Sequence, residues 1–340
     1  MVFSLRGLIV REEDMKQIIA SDKLNSIFRR PEFRTHKDAL SLMPGALGSL
    51  VNTLSMPALS KITGGTWNPE SMAAGLNHLS RLCSDQNCFY NVWSDEEIAA
   101  DQTRAEAKLI AFPLPQKSKF ILICPGGAYS SVASIVEGFP AAKRLNELGY
   151  AAFVLKYRCG KHALAPNPMD DLAAALRFIL ANADRFNIDP EQYTVMGFSA
   201  GGHLAASFGT ESLGYAHYLL PKPANIVLAY PVVTMGDKTH ADSRKNLLGA
   251  KNTHDASLIK KWSVEQQLTE NYPPTFIWQC DHDNTVPVEN SSMLAEGLRA
   301  KGVKVHYETF PSDAHGWGSA EGTLAEGWID KAVDFMKEEG

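Results

Sequence analysis

The sequence lacks an excess of basic charge, long apolar runs and internal repeats. Its 340 residues contain 33 Lys and Arg against 38 Asp and Glu, a formal net charge of −5. Nucleic-acid binders usually present a basic face, so we expect no nucleic-acid partner. Because no run reaches the roughly 18 apolar residues that a membrane helix needs, we also expect no membrane partner.

Cysteine is also scarce, with five residues in the whole chain. An odd number of thiols in a chain long enough to bury a large core favours a reducing compartment. Cys83 and Cys88 have no second thiol pair to complete a zinc site. The stretch Met1–Arg11 is interrupted by Arg6 and followed by acidic residues, unlike a secretory leader. We therefore expect a soluble, cytoplasmic protein.

The first hundred residues differ in pattern from the rest. Their clearest element begins at Asn68, a candidate N-cap, and Pro69, with Met72 and Leu76 following at helical spacing. We predict that residues 1–100 form a helical extension. It would be a structural layer on the core, a cover over an active site or a dimerisation element.

After residue 100, short apolar runs alternate with helical patterns. Such runs separated by helices indicate a mostly parallel, doubly wound sheet with helices on both faces. We therefore predict an α/β domain over residues 101–340. The predicted strands are 107–112, 119–124, 151–156, 192–196, 225–230, 275–280 and 304–309.

The pentad Gly197-Phe198-Ser199-Ala200-Gly201 carries the strongest chemical signal. A G-x-S-x-G pattern alone is weak, but here it follows a predicted strand and precedes a helix of small residues. That context is typical of a nucleophile elbow, in which small neighbours let strand and helix approach around a strained serine. A plain structural turn is the alternative. A dinucleotide-binding turn fits less well, because G-x-G-x-x-G follows none of the predicted strands.

A nucleophilic serine needs a base that is itself oriented by an acid. In this architecture the chain order is serine, acid, histidine. His315 lies in a Gly-flanked loop after the last predicted strand and is the candidate base. The acid is Asp281 or Asp283, both directly after the strand 275–280. Turn chemistry favours Asp283, whose side chain can point back towards the loop of His315.

Backbone N–H groups near the serine would stabilise an oxyanion. The glycine turn after the strand 119–124 makes Gly127 and Ala128 candidate donors, together with Ala200 behind the serine. Tyr129 and Trp317 follow the two loops and are candidate pocket residues. They would either restrict the pocket to short acyl groups or pack in the core beneath the loops.

Four stretches of the sequence, taken together, resemble the motifs of one hydrolase superfamily. The sequence is similar to α/β-hydrolases of the carbohydrate-esterase and acetyl-xylan-esterase-like group, near the hormone-sensitive-lipase and prolyl-oligopeptidase types. Two departures are Ala128 in place of a third glycine and Trp317 in place of a phenylalanine. The stretches, within roughly residues 105–340, are CPGGAYSSVAS, GFSAGGHLAAS, DHDNTVPVENSSMLAEGLRAKG and HGWG.

The resemblance implies an α/β-hydrolase fold with Ser199 as nucleophile, Asp283 as acid and His315 as base. It implies a serine hydrolase that cleaves short-acyl carboxylic esters, such as acetylated sugars, through an acyl-enzyme. A small-molecule ester is then the expected partner, no metal or cofactor is implied, and a homo-oligomer is left open. A prolyl-oligopeptidase-type peptidase and a non-catalytic ligand-binding homologue are the alternatives.

Overall fold

A single eight-stranded sheet organises the chain. The computed structural model describes residues 16–43 and 45–339, so the stretch Met1–Arg11 lies outside the described residues. Six strands, in the order β4-β3-β5-β6-β7-β8, run parallel, and β2 and β1 continue the sheet antiparallel beyond β4. The strands are β1 (Phe89–Asn91), β2 (Lys108–Phe112), β3 (Ser118–Cys124), β4 (Ala151–Lys156), β5 (Ile188–Phe198), β6 (Asn225–Ala229), β7 (Thr275–Cys280) and β8 (Val305–Phe310).

Helices cover both faces of the sheet. Within the described residues, no helix is both long enough and apolar enough to cross a membrane. The α-helices are α1 (Leu24–Ile27), α2 (Lys37–Leu40), α3 (Gly45–Val51), α4 (Met56–Ile62), α5 (Pro69–Asp85), α6 (Asp95–Ala100), α7 (Phe139–Glu147), α8 (Asn167–Ala181), α9 (Ser199–Phe208), α10 (Ala241–Leu248), α11 (Ala256–Trp262), α12 (Glu289–Ala300) and α13 (Trp328–Glu339).

The α/β prediction is confirmed, and each of the seven predicted strands is present. Strand β1 was missed because three residues are too few to show an alternation. It lies within the first hundred residues and pairs with β2 at the sheet edge. The start of α5 is as predicted, since Asn68 accepts a hydrogen bond from the Ser71 N–H at 3.0 Å and Pro69 opens the helix.

Two apolar cores lie on opposite faces of the sheet. One is filled by α8, α9 and α12, and the other by α5, α7 and α13. The helices α1 and α4 also contribute buried residues to the second core. Burial of both faces explains why the parallel strands are apolar almost throughout rather than alternating.

Buried hydrogen bonds fasten the segment after α2 to the sheet. The Lys156 ammonium donates to the carbonyl oxygens of Asp38 and Ser41, the second at 2.6 Å. The Val132 N–H donates to the Leu42 carbonyl at 2.9 Å. These bonds hold residues near position 42 beside the carboxyl end of β3, where the candidate site lies.

Candidate active site

Ser199 lies at a strained turn between β5 and α9. Its φ is +51°, a left-handed conformation that a non-glycine residue rarely adopts. Two glycines permit the turn. A Cβ on Gly201 would lie 2.1 Å from the Cys124 carbonyl oxygen, and a Cβ on Gly197 would lie 2.3 Å from the Gly201 oxygen. The predicted elbow geometry is therefore present, with the serine at its tip.

The structure brings His315 and Asp283 to this serine. The His315 Nε2 lies 2.8 Å from the Ser199 Oγ, and its Nδ1 lies 2.7 Å from the Asp283 Oδ2. The Asp283 Oδ1 accepts the N–H groups of Thr285 and Val286, both at 2.9 Å. The Asp283 side chain is 0% exposed and that of His315 is 13% exposed. A buried carboxylate with this geometry fixes the imidazole ring and its tautomer.

Asp281, the other candidate acid, forms no hydrogen bond with His315 among the described residues. Its Oδ1 bonds to the His282 ring at 2.5 Å and accepts the Ser312 N–H at 3.2 Å. The bond from His282 lowers the pKa of the Asp281 carboxyl. Asp281 thus braces the loop after β7, and Asp283 is the carboxylate that contacts the histidine.

The loop 125–131, called the oxyanion loop below, follows β3. The end of β3 lies beside the elbow because Cys124 pairs with Gly197 in the sheet. Gly127, Ala128 and Tyr129 all have positive φ values, and a Cβ on Gly127 would lie 2.4 Å from the Ser131 oxygen. Among the described residues, the N–H groups of Gly127 and Ala128 have no hydrogen-bond acceptor.

These two N–H donors belong to residues that line the same cavity as Ser199. The third candidate donor, Ala200, occupies the second position of α9, where the N–H has no partner within the helix. Gly127 and Ala128 thus line the cavity with Ser199, and Ala200 follows the serine in the chain, which keeps all three as candidate donors to a developing negative charge.

Tyr129 and Trp317 do not line this cavity. Tyr129 is buried, and its hydroxyl bonds to the His203 Nδ1 at 2.8 Å, while the His203 Nε2 bonds to the Trp262 carbonyl at 2.7 Å. Burial lowers the pKa of His203 to about 4. Trp317 stacks on Trp278 with ring centroids 6.3 Å apart. Both rings thus pack beneath the loops, which is the second of the two arrangements considered for them.

A cavity of about 700 Å³ opens over Ser199 and His315. The side formed by residues 42–67 is largely apolar, and the rest of the lining is largely polar. The apolar side consists of Leu42, Met43, Val51, Leu54, Leu59, Ile62 and Trp67, called the apolar wall below. Apart from Ser199 and His315, the polar side chains in the rest of the lining are those of Ser130, Ser131, Glu137, His240, Asn284, Thr285 and Asp313.

The sequence-based prediction of site residues did not include the apolar wall. Its only signal was an excess of apolar residues between positions 39 and 60 with no regular period. A stretch like this has more apolar side chains than its short helices bury, and Leu47, Leu50 and Ile62 remain exposed. Only a tertiary structure shows that several of the others face the serine.

The parallel sheet and the serine at its strained turn define an α/β-hydrolase. Among solved structures, the chain is similar to the acetyl ester-xyloside bifunctional hydrolase from Caldicellulosiruptor lactoaceticus. The TM-score is 0.65 and the identity 31%, over 74% of this chain and 95% of that one. A carboxylesterase from Lactobacillus plantarum matches with a TM-score of 0.59 and 25% identity, over 68% of this chain and 93% of that one.

The BD-FAE family model matches residues 112–298, and the chain belongs to this family. Curated relatives include endo-1,4-beta-xylanase B of Butyrivibrio fibrisolvens, 38% identical over 62% of this chain and 34% of that protein. Another is the acetylxylan esterase of Xylanibacter ruminicola, which is 32% identical over 63% of this chain and 44% of that protein. The chain therefore aligns with between a third and a half of the length of these two relatives.

Replacing each aspartate by asparagine separates the two acids. Asp283→Asn should lower kcat for p-nitrophenyl acetate by about 10⁴, because His315 loses the charge and the tautomer that the carboxylate imposes. Asp281→Asn, the matched control in the same loop, should cost less than about 10-fold, because Asp281 does not touch the histidine. Steady-state kinetics on folded variants measures both, and the reverse ranking would assign the acid to Asp281.

Proposed function

We propose that this protein is a serine hydrolase that cleaves carboxylic esters, with acetyl esters of carbohydrates as its substrates. The observation that carries the proposal is the continuous hydrogen-bonded line from the Ser199 Oγ through His315 to Asp283, with distances of 2.8 and 2.7 Å. This line joins a nucleophile, a general base and a buried orienting acid in the geometry that acyl transfer needs.

The reaction follows from the positions of these groups. Ser199 attacks the ester carbonyl carbon while His315 takes the hydroxyl proton, and the negative oxygen is met by the N–H groups of Gly127, Ala128 and Ala200. His315 then gives the proton to the departing alcohol, which leaves an acetyl group on the serine. Water, deprotonated by the same histidine, attacks the acyl-enzyme and releases acetate.

The carbohydrate substrate is supported by the relatives and by the polar side of the cavity. Two similar proteins are named for acetylxylan and acetyl ester-xyloside substrates. Ser130, Ser131 and Asn284, which carry hydroxyl and amide groups, line the same cavity as the apolar wall. Such groups can hydrogen-bond the several hydroxyls of a sugar, while Trp67 offers an aromatic ring to its apolar face.

Residues 101–340 form the catalytic domain in this proposal, and residues 1–100 form an extension that completes the cavity. The support is that the whole apolar wall comes from residues 42–67, outside the segment that the family model matches. The bonds of Lys156 and Val132 fix this segment against the sheet. The extension thereby shapes the substrate cavity as well as covering the core.

The state of the cysteines supports a reducing compartment. Each of the five cysteines is an unpaired thiol, and four of them are buried. Burial also raises the pKa of Cys280, to about 12, which keeps this thiol protonated and unreactive. The proposal therefore places the enzyme in the cytoplasm, acting on a small-molecule ester.

A substrate panel tests the proposed function. The wild type should release acetate from acetylated xylo-oligosaccharides and hydrolyse p-nitrophenyl acetate, and it should leave peptide p-nitroanilides intact. Ser199→Ala should lower kcat for both esters by about 10⁴ to 10⁶, because the acyl-enzyme can no longer form. Thermal unfolding checks that the variant is folded. A folded Ser199→Ala protein with wild-type turnover, or faster cleavage of the anilides, would refute the proposal.

The role of the apolar wall is tested at Ile62. Its side chain is 71% exposed, so Ile62→Ser should leave the melting temperature nearly unchanged. It should lower kcat/KM for p-nitrophenyl octanoate by about fivefold, because a long acyl chain loses apolar contact, and change acetate turnover by less than about twofold. Leu219→Ser, at a position 92% exposed that does not line the cavity, is the matched control. Equal effects of both variants would show that the wall takes no part in binding.

A further inference from the structure

A second carboxyl group lies buried beside the candidate active site. Glu137 is 4% exposed and sits in the π-helical turn Ser134–Gly138, between the oxyanion loop and α7. Single π-helical turns are rare and are frequent at functional sites. Among the described residues, no Lys or Arg forms an ion pair with Glu137. A buried acid without a cation costs folding energy unless other groups stabilise it.

The two oxygens of Glu137 accept hydrogen bonds from two different parts of the site. The Oε2 accepts the Gly126 N–H at 2.5 Å, at the start of the oxyanion loop. The Oε1 accepts the Tyr230 hydroxyl at 3.0 Å, and this hydroxyl in turn accepts the Gly318 N–H at 2.9 Å. Gly318 lies in loop 311–318, the histidine loop, which also carries His315. One carboxyl group therefore links the oxyanion loop to the histidine loop.

The surroundings of this link leave little room for movement. Gly126 packs closely against both Ser199 and Glu137. A Cβ added to Gly126 would lie 2.8 Å from the Ser199 Cβ and 3.0 Å from the Glu137 Oε2. Tyr230, directly after β6, has a strained φ of +40°. Its ring packs edge-on against the His315 ring, with centroids 4.8 Å apart. A strained residue of this kind persists only where its surroundings impose it, often at an active site.

We infer that Glu137 is a positioning residue, whose carboxylate sets the oxyanion loop and the histidine loop at a fixed spacing around Ser199 through Gly126 and Tyr230. The inference rests on the proposed ester hydrolysis, and it adds a residue that lines the same cavity as Ser199 but forms no hydrogen bond with Ser199 or His315. Its effect is on the transition state, because the N–H donors and the imidazole must meet the reacting atoms together.

Because Glu137 is titratable, its role should be visible in the pH dependence of kcat/KM. Burial raises the pKa of Glu137, whereas the bonds from Gly126 and Tyr230 and the nearby His315 lower it. Titratable groups that face it are Tyr230 and His315, with Asp283 on the far side of the histidine. A protonated carboxyl group accepts these two bonds less well.

The test uses Glu137→Gln, Tyr230→Phe and the double variant, with p-nitrophenyl acetate as substrate. Glu137→Gln should lower kcat by about 10- to 100-fold with KM within about threefold, because positioning acts on the transition state. Its acid limb of kcat/KM should also move to lower pH, since glutamine carries no carboxylate whose protonation would weaken the two bonds. Tyr230→Phe keeps the Glu137 carboxylate, so it should lower kcat without moving the acid limb of kcat/KM to lower pH.

The double variant should be about as slow as the slower single variant, because both changes break one link. Tyr272→Phe is the matched control, a buried tyrosine whose hydroxyl bonds only the Ala206 carbonyl, and it should keep wild-type kcat. Wild-type kcat in both single variants, additive losses, or an unmoved acid limb in Glu137→Gln would overturn the inference. Failure of the proposed function itself would give a different result, namely wild-type ester hydrolysis by a folded Ser199→Ala variant.

Discussion

The left-handed turn at Ser199 is the constraint on which the rest of the site depends. It exists because two glycines let β5, α9 and the end of β3 come closer than any side chain would allow. The turn is strained, so the packing of the sheet must hold it, and the serine hydroxyl is thereby kept at one point in space. Each other group in the site is positioned relative to that point.

The parallel sheet supplies those groups from one edge. Because the strands run in the same direction, the loops after β3, β5, β7 and β8 emerge together, which brings residues more than a hundred positions apart into contact. The site is partly shielded from solvent, since the Asp283 side chain is fully buried and that of His315 is mostly buried. In such surroundings hydrogen bonds to charged groups are stronger than in water, and unpaired ones are more costly.

The sequence predicted the parts of this structure that depend on local pattern. The seven longer strands, the start of α5 and the elbow all have short-range signals in composition or spacing. The turn before Pro287 is also a local feature, and in the structure Asp283 rather than Asp281 lies within hydrogen-bond distance of His315.

Features that depend on long-range packing were not predictable in this way. Strand β1 has three residues and is defined only by pairing with β2. The rings of Tyr129 and Trp317 point into the interior, which no local pattern distinguishes from a position at the cavity mouth. The apolar wall and the link through Glu137 and Tyr230 join segments far apart in the chain, so the sequence alone shows no relation between them.

A covalent label can show whether Ser199 is the activated nucleophile. The protein is treated with a fluorophosphonate, and the modified peptide is located by mass spectrometry. We expect one adduct, on Ser199, and a labelling rate that falls steeply in a folded His315→Ala variant because the base is gone. An adduct on another serine of the cavity, such as Ser130 or Ser131, or an unchanged rate in that variant, would contradict it.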